Sequence, residues 1–265
     1  MDSFNIHRFG KTLHWYLSVN FRTLLIRIIG IGIFVFLIEF IYWQCMGNVI
    51  QNTNALLFKN ALYLTGPIFL IFLLGMSDIF YNMEKNSNRE SFLMLPASNM
   101  EKFCSALLYV TIVWPVGICL SVAIGDTLRM MIRAVAFGDV WASGIPAIMR
   151  ALRPWDFQHG EWQTVIFMVL MLLFIHSLFI LTGTLLRKQA FVVNIVTLCV
   201  ILVIAGRFIY KADETEVSVF AHPLVYVLDV AFIVLISFNY WASYHIFKGF
   251  QLITNKWTNY EFHKR

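Results

Sequence analysis

Charged side chains are scarce in this chain. Asp, Glu, Lys and Arg make up 13% of its 265 residues and hydrophobic residues 59%, where a soluble domain carries roughly 25% charged residues. So little charge excludes an ordinary soluble domain and leaves the bilayer as the solvent, in line with a mean hydropathy of +0.72. Cysteine is scarce too: Cys45, Cys104, Cys119 and Cys199 stand apart, with no CxxC pair and no histidine at ligand spacing. They read as small apolar packing residues rather than as a metal site. Catalytic motifs are also missing. There is no HExxH, no GxSxG and no carboxylate cluster at membrane depth, and Gly10-Lys11-Thr12 is only the end of a phosphate loop, with Asn5 where its first glycine should stand. The chain is therefore expected to be no enzyme, with no catalytic, cofactor or metal residues of its own.

What the sequence does contain is apolar runs of about 20 residues, the length that crosses roughly 30 Å of hydrocarbon. They lie near 23–45, 58–80, 104–125, 163–186, 190–209 and 223–246. Continuous runs of this length predict helices rather than barrel strands, so the expected fold is all-α: a single polytopic membrane domain over 1–265 with six transmembrane helices. Some 22 residues precede the first run, more than a signal peptide's basic region, and no small-x-small cleavage site follows, so that run is expected to stay as an anchor. An even number of spans puts both termini on one side. Placing them in the cytoplasm leaves only Lys59, Arg129, Arg133, Arg150, Arg153, Arg207 and Lys211 of the 20 basic residues outside, the asymmetry expected of a multi-pass protein of a bacterial inner membrane. Topology and anionic lipid headgroups then account for the net charge of +5, and no nucleic-acid partner is implied.

Between the runs the organisation is spare, without repeats or a linker. Phe9, Leu13, Tyr16 and Leu17 recur at helical spacing with Arg8, Lys11, Thr12 and Ser18 on other faces, which predicts an interfacial amphipathic helix over 1–22. The tail 247–265 repeats the pattern weakly with Phe250, Ile253 and Trp257. Only Arg187-Lys188-Gln189 separates spans four and five, which forces an antiparallel hairpin. Pro67 and Pro115 predict kinks in spans two and three. The outer segment 126–162 should be partly helical, with Trp141, Trp155 and Trp162 suited to an interfacial aromatic belt or, less readily, to a substrate gate.

Ionisable residues at membrane depth are functional candidates because they are costly there. Arg27 and Asp78 lie near the cytoplasmic ends of spans one and two, where snorkelling or a mutual ion pair would explain them. Glu39 and Asp229, toward the outer halves of spans one and six, could hold a cation or line a cavity, or equally accept hydrogen bonds from a neighbouring helix. His176, in the middle of span four, reads first as a hydrogen-bonded packing residue.

The loop 81–103 is the most informative segment. Phe92-Leu-Met-Leu95 is too short to cross, Pro96 stops it, and Ser98 with Glu101 three residues on has the form of a capping box that starts the third span. Such an element is either an ordinary interfacial loop or a handle by which a partner moves the bundle.

Ser91-Phe-Leu-Met-Leu-Pro-Ala-Ser-Asn-Met-Glu-Lys-Phe103, and with it His176-Ser-Leu-Phe-Ile-Leu-Thr-Gly-Thr-Leu-Leu-Arg-Lys-Gln-Ala-Phe191, resembles the small six-span permease subunits of ABC-2 type transporters of Bacteroidetes-like bacteria. Phe9-Gly-Lys-Thr-Leu-His-Trp-Tyr-Leu17 is similar to their N-terminal elbow helix. The resemblance implies an exporter subunit without chemistry of its own. It would be paired as a homodimer or heterodimer of permeases, with ATP and magnesium on a separate ABC-type ATPase chain. It also implies a coupling element formed by Arg89, Glu90, Leu95, Pro96, Ser98, Glu101 and Lys102. Two other readings stay open: an ion-coupled carrier using Glu39, His176 and Asp229, and a membrane scaffold or sensor.

Overall fold

A computed structural model of the chain describes residues 4–47, 52–80, 86–138, 141–152, 162–186, 190–213 and 224–249. These form helices α1 (Ile6–Met46), α2 (Thr53–Ser77), α3 (Asn86–Leu93), α4 (Asn99–Leu108), α5 (Trp114–Phe137), α6 (Ile145–Leu152), α7 (Trp162–Leu185), α8 (Ala190–Asp213) and α9 (Leu224–Lys248), with no strand among the described residues. Among the described residues, five helical stretches are long and apolar enough to cross a membrane: Ile6–Met46, Thr53–Ser77, Asn99–Phe137, Val165–Leu185 and Tyr226–Lys248. The protein is an all-helical, multi-pass membrane protein. The hairpin tip 187–189, Lys85, Trp155 and the tail from 250 lie outside the described residues.

Two elements differ from expectation. The separate interfacial helix expected over 1–22 is instead the first part of α1, a single helix of 41 residues, about 60 Å long at 1.5 Å per residue. Nothing in its sequence breaks it. There is no proline, and two of the polar side chains that fall inside it bond back to its own carbonyls, Thr12 Oγ1 to Arg8 O and Asn20 Nδ2 to Tyr16 O. Its start is fixed by Asn5, whose side-chain oxygen accepts the amides of His7 and Arg8 at 2.9 and 3.4 Å. The second difference concerns Pro115. It lies at the second position of α5, and the five residues before that helix, Tyr109–Val113, form a π-helical turn joining α4 to α5 without a break. Proline has no N–H to give its i−4 carbonyl, and a widened turn absorbs the mismatch. The continuous helix then runs to Phe137, twelve residues into the segment expected to lie outside the third span.

The chain divides into two compact units: Trp15–Phe72 with Leu108–Asp156, and Met1–His14 with Leu73–Leu107 and Phe157–Arg265. In the first, α1 and α5 run parallel, since their contacts advance together: Tyr16 against Tyr109, Leu24 and Ile28 against Gly117, Gly32 against Ser121 and Val35 against Gly125. A side chain at Gly125 would collide with Gly32 O and Val35, which is why the helices can approach so closely. Trp114 Nε1 donates to Phe72 O at 3.2 Å, and Arg27 lies over the Trp114 ring at 5.7 Å. The apolar core joins Val35 and Trp43 of α1, Leu56, Leu57, Ala61 and Leu64 of α2, and Ala147 and Ile148 of α6.

In the second unit α7 and α9 form the main packing, also parallel. Phe167 and Phe174 of α7 flank Phe232 of α9 at 5.6 and 5.2 Å. Thr182 and Asn194 hydrogen-bond between α7 and α8, the antiparallel hairpin expected from the three-residue connection. Gly183 lies against the backbone at the end of α2, where an added Cβ would collide with Ser77 O. Because the obstacle is backbone, Gly183→Ala is expected to destabilise the protein by about 1–3 kcal/mol. An unchanged midpoint in SDS-induced unfolding would show that this contact is looser than drawn.

Candidate functional site

The turn between α2 and α4 is built from both of its ends. Phe92, fully buried, anchors α3 by packing at 6.2 Å against Phe247, which also stacks on Phe80 at 5.2 Å and meets Phe103 at 5.7 Å. The last turn of α3 is capped by Lys102, whose Nζ donates to Leu93 O at 2.8 Å. The capping box forms as its spacing predicts: Ser98 N donates to Glu101 Oε2 at 2.9 Å and Glu101 N to Ser98 Oγ at 3.3 Å. The other carboxylate oxygen of Glu101 accepts Asn5 N at 2.7 Å and Arg8 Nη2 at 3.2 Å. One buried carboxylate thus joins the start of α1 to the start of α4.

This geometry divides the seven residues of the expected coupling element. Glu101 is 0% exposed, and Lys102 and Arg89 are buried as well, so these three offer no surface to a partner; Glu101 and Lys102 brace the turn. Leu95 and Ser98 are half-buried, while Glu90 and Pro96 are exposed. The most exposed apolar side chain of the turn is Met94, at 79%. It follows the last residue of α3, with its N–H bonded to Glu90 O and its side chain directed outward.

The polar residues of α7 and α9 pair across their interface. His176 Nδ1 and the Tyr240 hydroxyl are hydrogen-bonded at 2.6 Å, Asn239 Nδ2 donates to Ser177 Oγ at 3.0 Å, and Gln163 Nε2 donates to Asp229 Oδ2. Asp229 Oδ1 is buried and has no hydrogen-bond partner among the described residues. Asp229 and His176 do not form one site: thirteen positions of α7 separate Gln163, the partner of Asp229, from His176, about 20 Å at the helical rise. Asp78 falls just past α2, in the turn after Ser77.

Glu39 belongs to a buried ionic cluster that the sequence reading did not assemble. Its Oε2 accepts Arg129 Nε at 3.0 Å, and Arg129 Nη2 donates to Asp126 Oδ1 at 2.5 Å and to Ala142 O at 2.7 Å. Asp126 also accepts the Ser143 hydroxyl at 2.6 Å and Gly144 N at 3.0 Å, so a carboxylate stands at the N-terminal end of α6 where unbonded amides favour one. The guanidinium groups of Arg129 and Arg133 lie 4.9 and 5.0 Å from the Trp43 ring, a double cation–π contact. Arg129 is 2% exposed and Glu39 and Asp126 0%. From the sequence alone Asp126, Arg129 and Arg133 fall in the outer segment 126–162. The available signal was their i, i+3, i+7 spacing, which keeps all three on the face of α5 that continues Ser121 and Gly125.

No protein-family model matches the chain, and neither a curated protein nor a solved structure matches it.

Proposed function

We propose that this chain is the membrane subunit of an ATP-driven ABC-2 type transporter, an exporter permease moved by a separate ABC-type ATPase that holds the ATP and magnesium. In this reading α8, 24 residues long or about 36 Å, is the sixth span. Both termini and the α3 turn face the cytoplasm of a bacterial inner membrane, as the distribution of basic residues favours. Two permease chains, alike or different, and surrounding lipid complete the assembly.

The observation that carries the reading is the construction of the α3 turn. Its tip offers Glu90, Met94 and Pro96 to solvent, while its base is fastened by Lys102 to α4 and through Glu101 to α1. A partner that draws on the tip therefore displaces the ends of two long helices. A bundle driven in this way switches between two packed arrangements, since packed interfaces do not deform continuously. The intramembrane candidates support an ion-coupled carrier less well, because Glu39 is matched by Arg129 and His176 by Tyr240.

Purification of the tagged chain from its native membrane in mild detergent, with mass spectrometry and an ATPase assay, tests this reading. The wild type is expected to bring down an ABC-type ATPase, and Met94→Asp to lose it while eluting as the same folded species, since the exposed Met94 supports no packing. A wild-type preparation with no ATPase would rule out the permease reading; an ATPase retained by Met94→Asp would place the docking surface elsewhere.

A further inference from the structure

The Asp126 carboxyl group is well supplied with donors. Its Oδ1 accepts Arg129 Nη2 at 2.5 Å and Gly144 N at 3.0 Å, and its Oδ2 accepts the Ser143 hydroxyl at 2.6 Å. Three donors directed at one carboxyl group are the surroundings of an ionised carboxylate. Glu39 is placed differently. Its Oε2 accepts Arg129 Nε at 3.0 Å, while its Oε1 is buried and meets no N–H or O–H donor among the described residues. What Oε1 does meet is the Asp126 carboxyl group, to which it is hydrogen-bonded. The two groups close on the backbone of Gly144, where a Cβ would stand 3.3 Å from both Glu39 Oε1 and Asp126 Oδ1.

An ionised carboxylate oxygen is an acceptor only, so two carboxyl groups bond to each other only through a proton. With Asp126 already supplied by three donors, that proton belongs on Glu39 Oε1, which donates it to Asp126. The charges agree with this placement. Glu39 and Asp126 are 0% exposed and Arg129 is 2% exposed, and two carboxyl groups in contact do not both ionise. With Glu39 protonated, Glu39, Asp126 and Arg129 sum to zero, which lowers the cost of burying them within a membrane protein. Around Glu39, α2 and α6 contribute the apolar Leu56, Leu57, Ala61, Ala147 and Ile148, and the Arg133 guanidinium of α5 lies over the Trp43 and Phe137 rings.

We infer that Glu39 and Asp126 share one resident proton, carried on Glu39, and that the contact between α1 and α5 is a proton-binding site. Glu39 stands on α1 and Asp126 on α5, so the bound proton also ties the two helices together. Its loss would set two negative charges face to face and push the helices apart. The inference goes beyond the permease reading, which rests on the α3 turn, and it holds whether or not the chain pairs with an ATPase.

Infrared spectroscopy of the full chain in lipid nanodiscs at neutral pH reads the proton directly. The difference spectrum of wild type minus Glu39→Gln should carry the C=O band of a carboxylic acid. The bands of an ionised carboxylate in its place would overturn the inference. Asp126→Asn should remove the same acid band, because the introduced amide can donate to an ionised Glu39; an acid band that survives this change would show that the proton is not shared. Glu39→Gln itself is expected to fold with the wild-type midpoint in SDS-induced unfolding, since its amide keeps an acceptor for Arg129 and a donor for Asp126. A Glu39→Gln chain that fails to fold, or unfolds at a clearly lower midpoint, would mean that Glu39 acts through a negative charge and would overturn the inference as well.

Discussion

Arg129→Met should leave little folded protein. The substitution keeps an unbranched side chain without its charged end and removes, among the described residues, the donors to Glu39 Oε2 and Ala142 O and one of those to Asp126. Two carboxyl groups, each 0% exposed, would then be left in the same buried region without that cation. Breaking a buried ion pair by removing one partner costs about 3–5 kcal/mol, a large part of the 5–15 kcal/mol that holds a typical protein folded. Arg129→Lys should fall between, because one ammonium cannot reproduce a fork that reaches two carboxylates and a carbonyl. Removing all the charges together is the informative control. Glu39→Leu with Asp126→Leu and Arg129→Met should recover part of the lost stability, since well-packed apolar groups often replace a buried ionic set without loss; Gly144 N and the Ser143 hydroxyl would still lack their acceptor. Size-exclusion profiles and SDS-unfolding midpoints of the three variants decide the matter. A monodisperse Arg129→Met with the wild-type midpoint would mean that the cluster is hydrated or open in the membrane.

The helices were legible in the sequence because their signal is simple. Runs such as Val165–Leu185 are apolar around their whole circumference, and no soluble arrangement uses that pattern over 20 residues. Local chemistry was legible too: Ser98 and Glu101 form the capping box that their spacing announces, and the short connection after α7 folds α8 back so that Thr182 meets Asn194. Boundaries were harder. Nothing polar enough separates 1–22 from 23–45 to stop a helix, so the amphipathic start and the first span run on as one. The proline rule foretold a distortion at Pro115 and not its form, because a π turn and a kink answer the same missing N–H. The ionic cluster was lost at the same kind of boundary. Once 126–162 is taken as surface, Arg129 and Arg133 become ordinary outer charges, and Glu39 has no visible partner. Matching a carboxylate in one helix to a guanidinium ninety residues later depends on how two helices pair, and hydropathy along the chain does not encode that.

Burial also changes what Glu101 is for, and with it the outcome of changing it. An exposed Glu101 would be a contact whose charge reversal uncouples a partner and spares the fold. The observed Glu101 is fully buried and accepts three hydrogen bonds, from Asn5 N, Arg8 Nη2 and Ser98 N. Glu101→Ala should therefore destabilise the protein directly, by about 1–3 kcal/mol, since its half-buried partners lose a charged acceptor that water replaces only in part. The partners separate its two duties. Ser98→Ala removes the acceptor for Glu101 N alone and should cost about 1 kcal/mol. Arg8→Ala, at a side chain 38% exposed, should cost less than about 1 kcal/mol, because Asn5 N and Ser98 N still satisfy the carboxylate. Limited proteolysis and hydrogen exchange over 4–14 and 98–104 read both ends of the link at once. Glu101→Ala is expected to loosen the two segments together, whereas Ser98→Ala should loosen only the start of α4. If Glu101→Ala loosened α4 and left 4–14 as protected as before, the carboxylate would be a helix cap and nothing more, and a pull on the α3 turn would reach α4 without reaching α1.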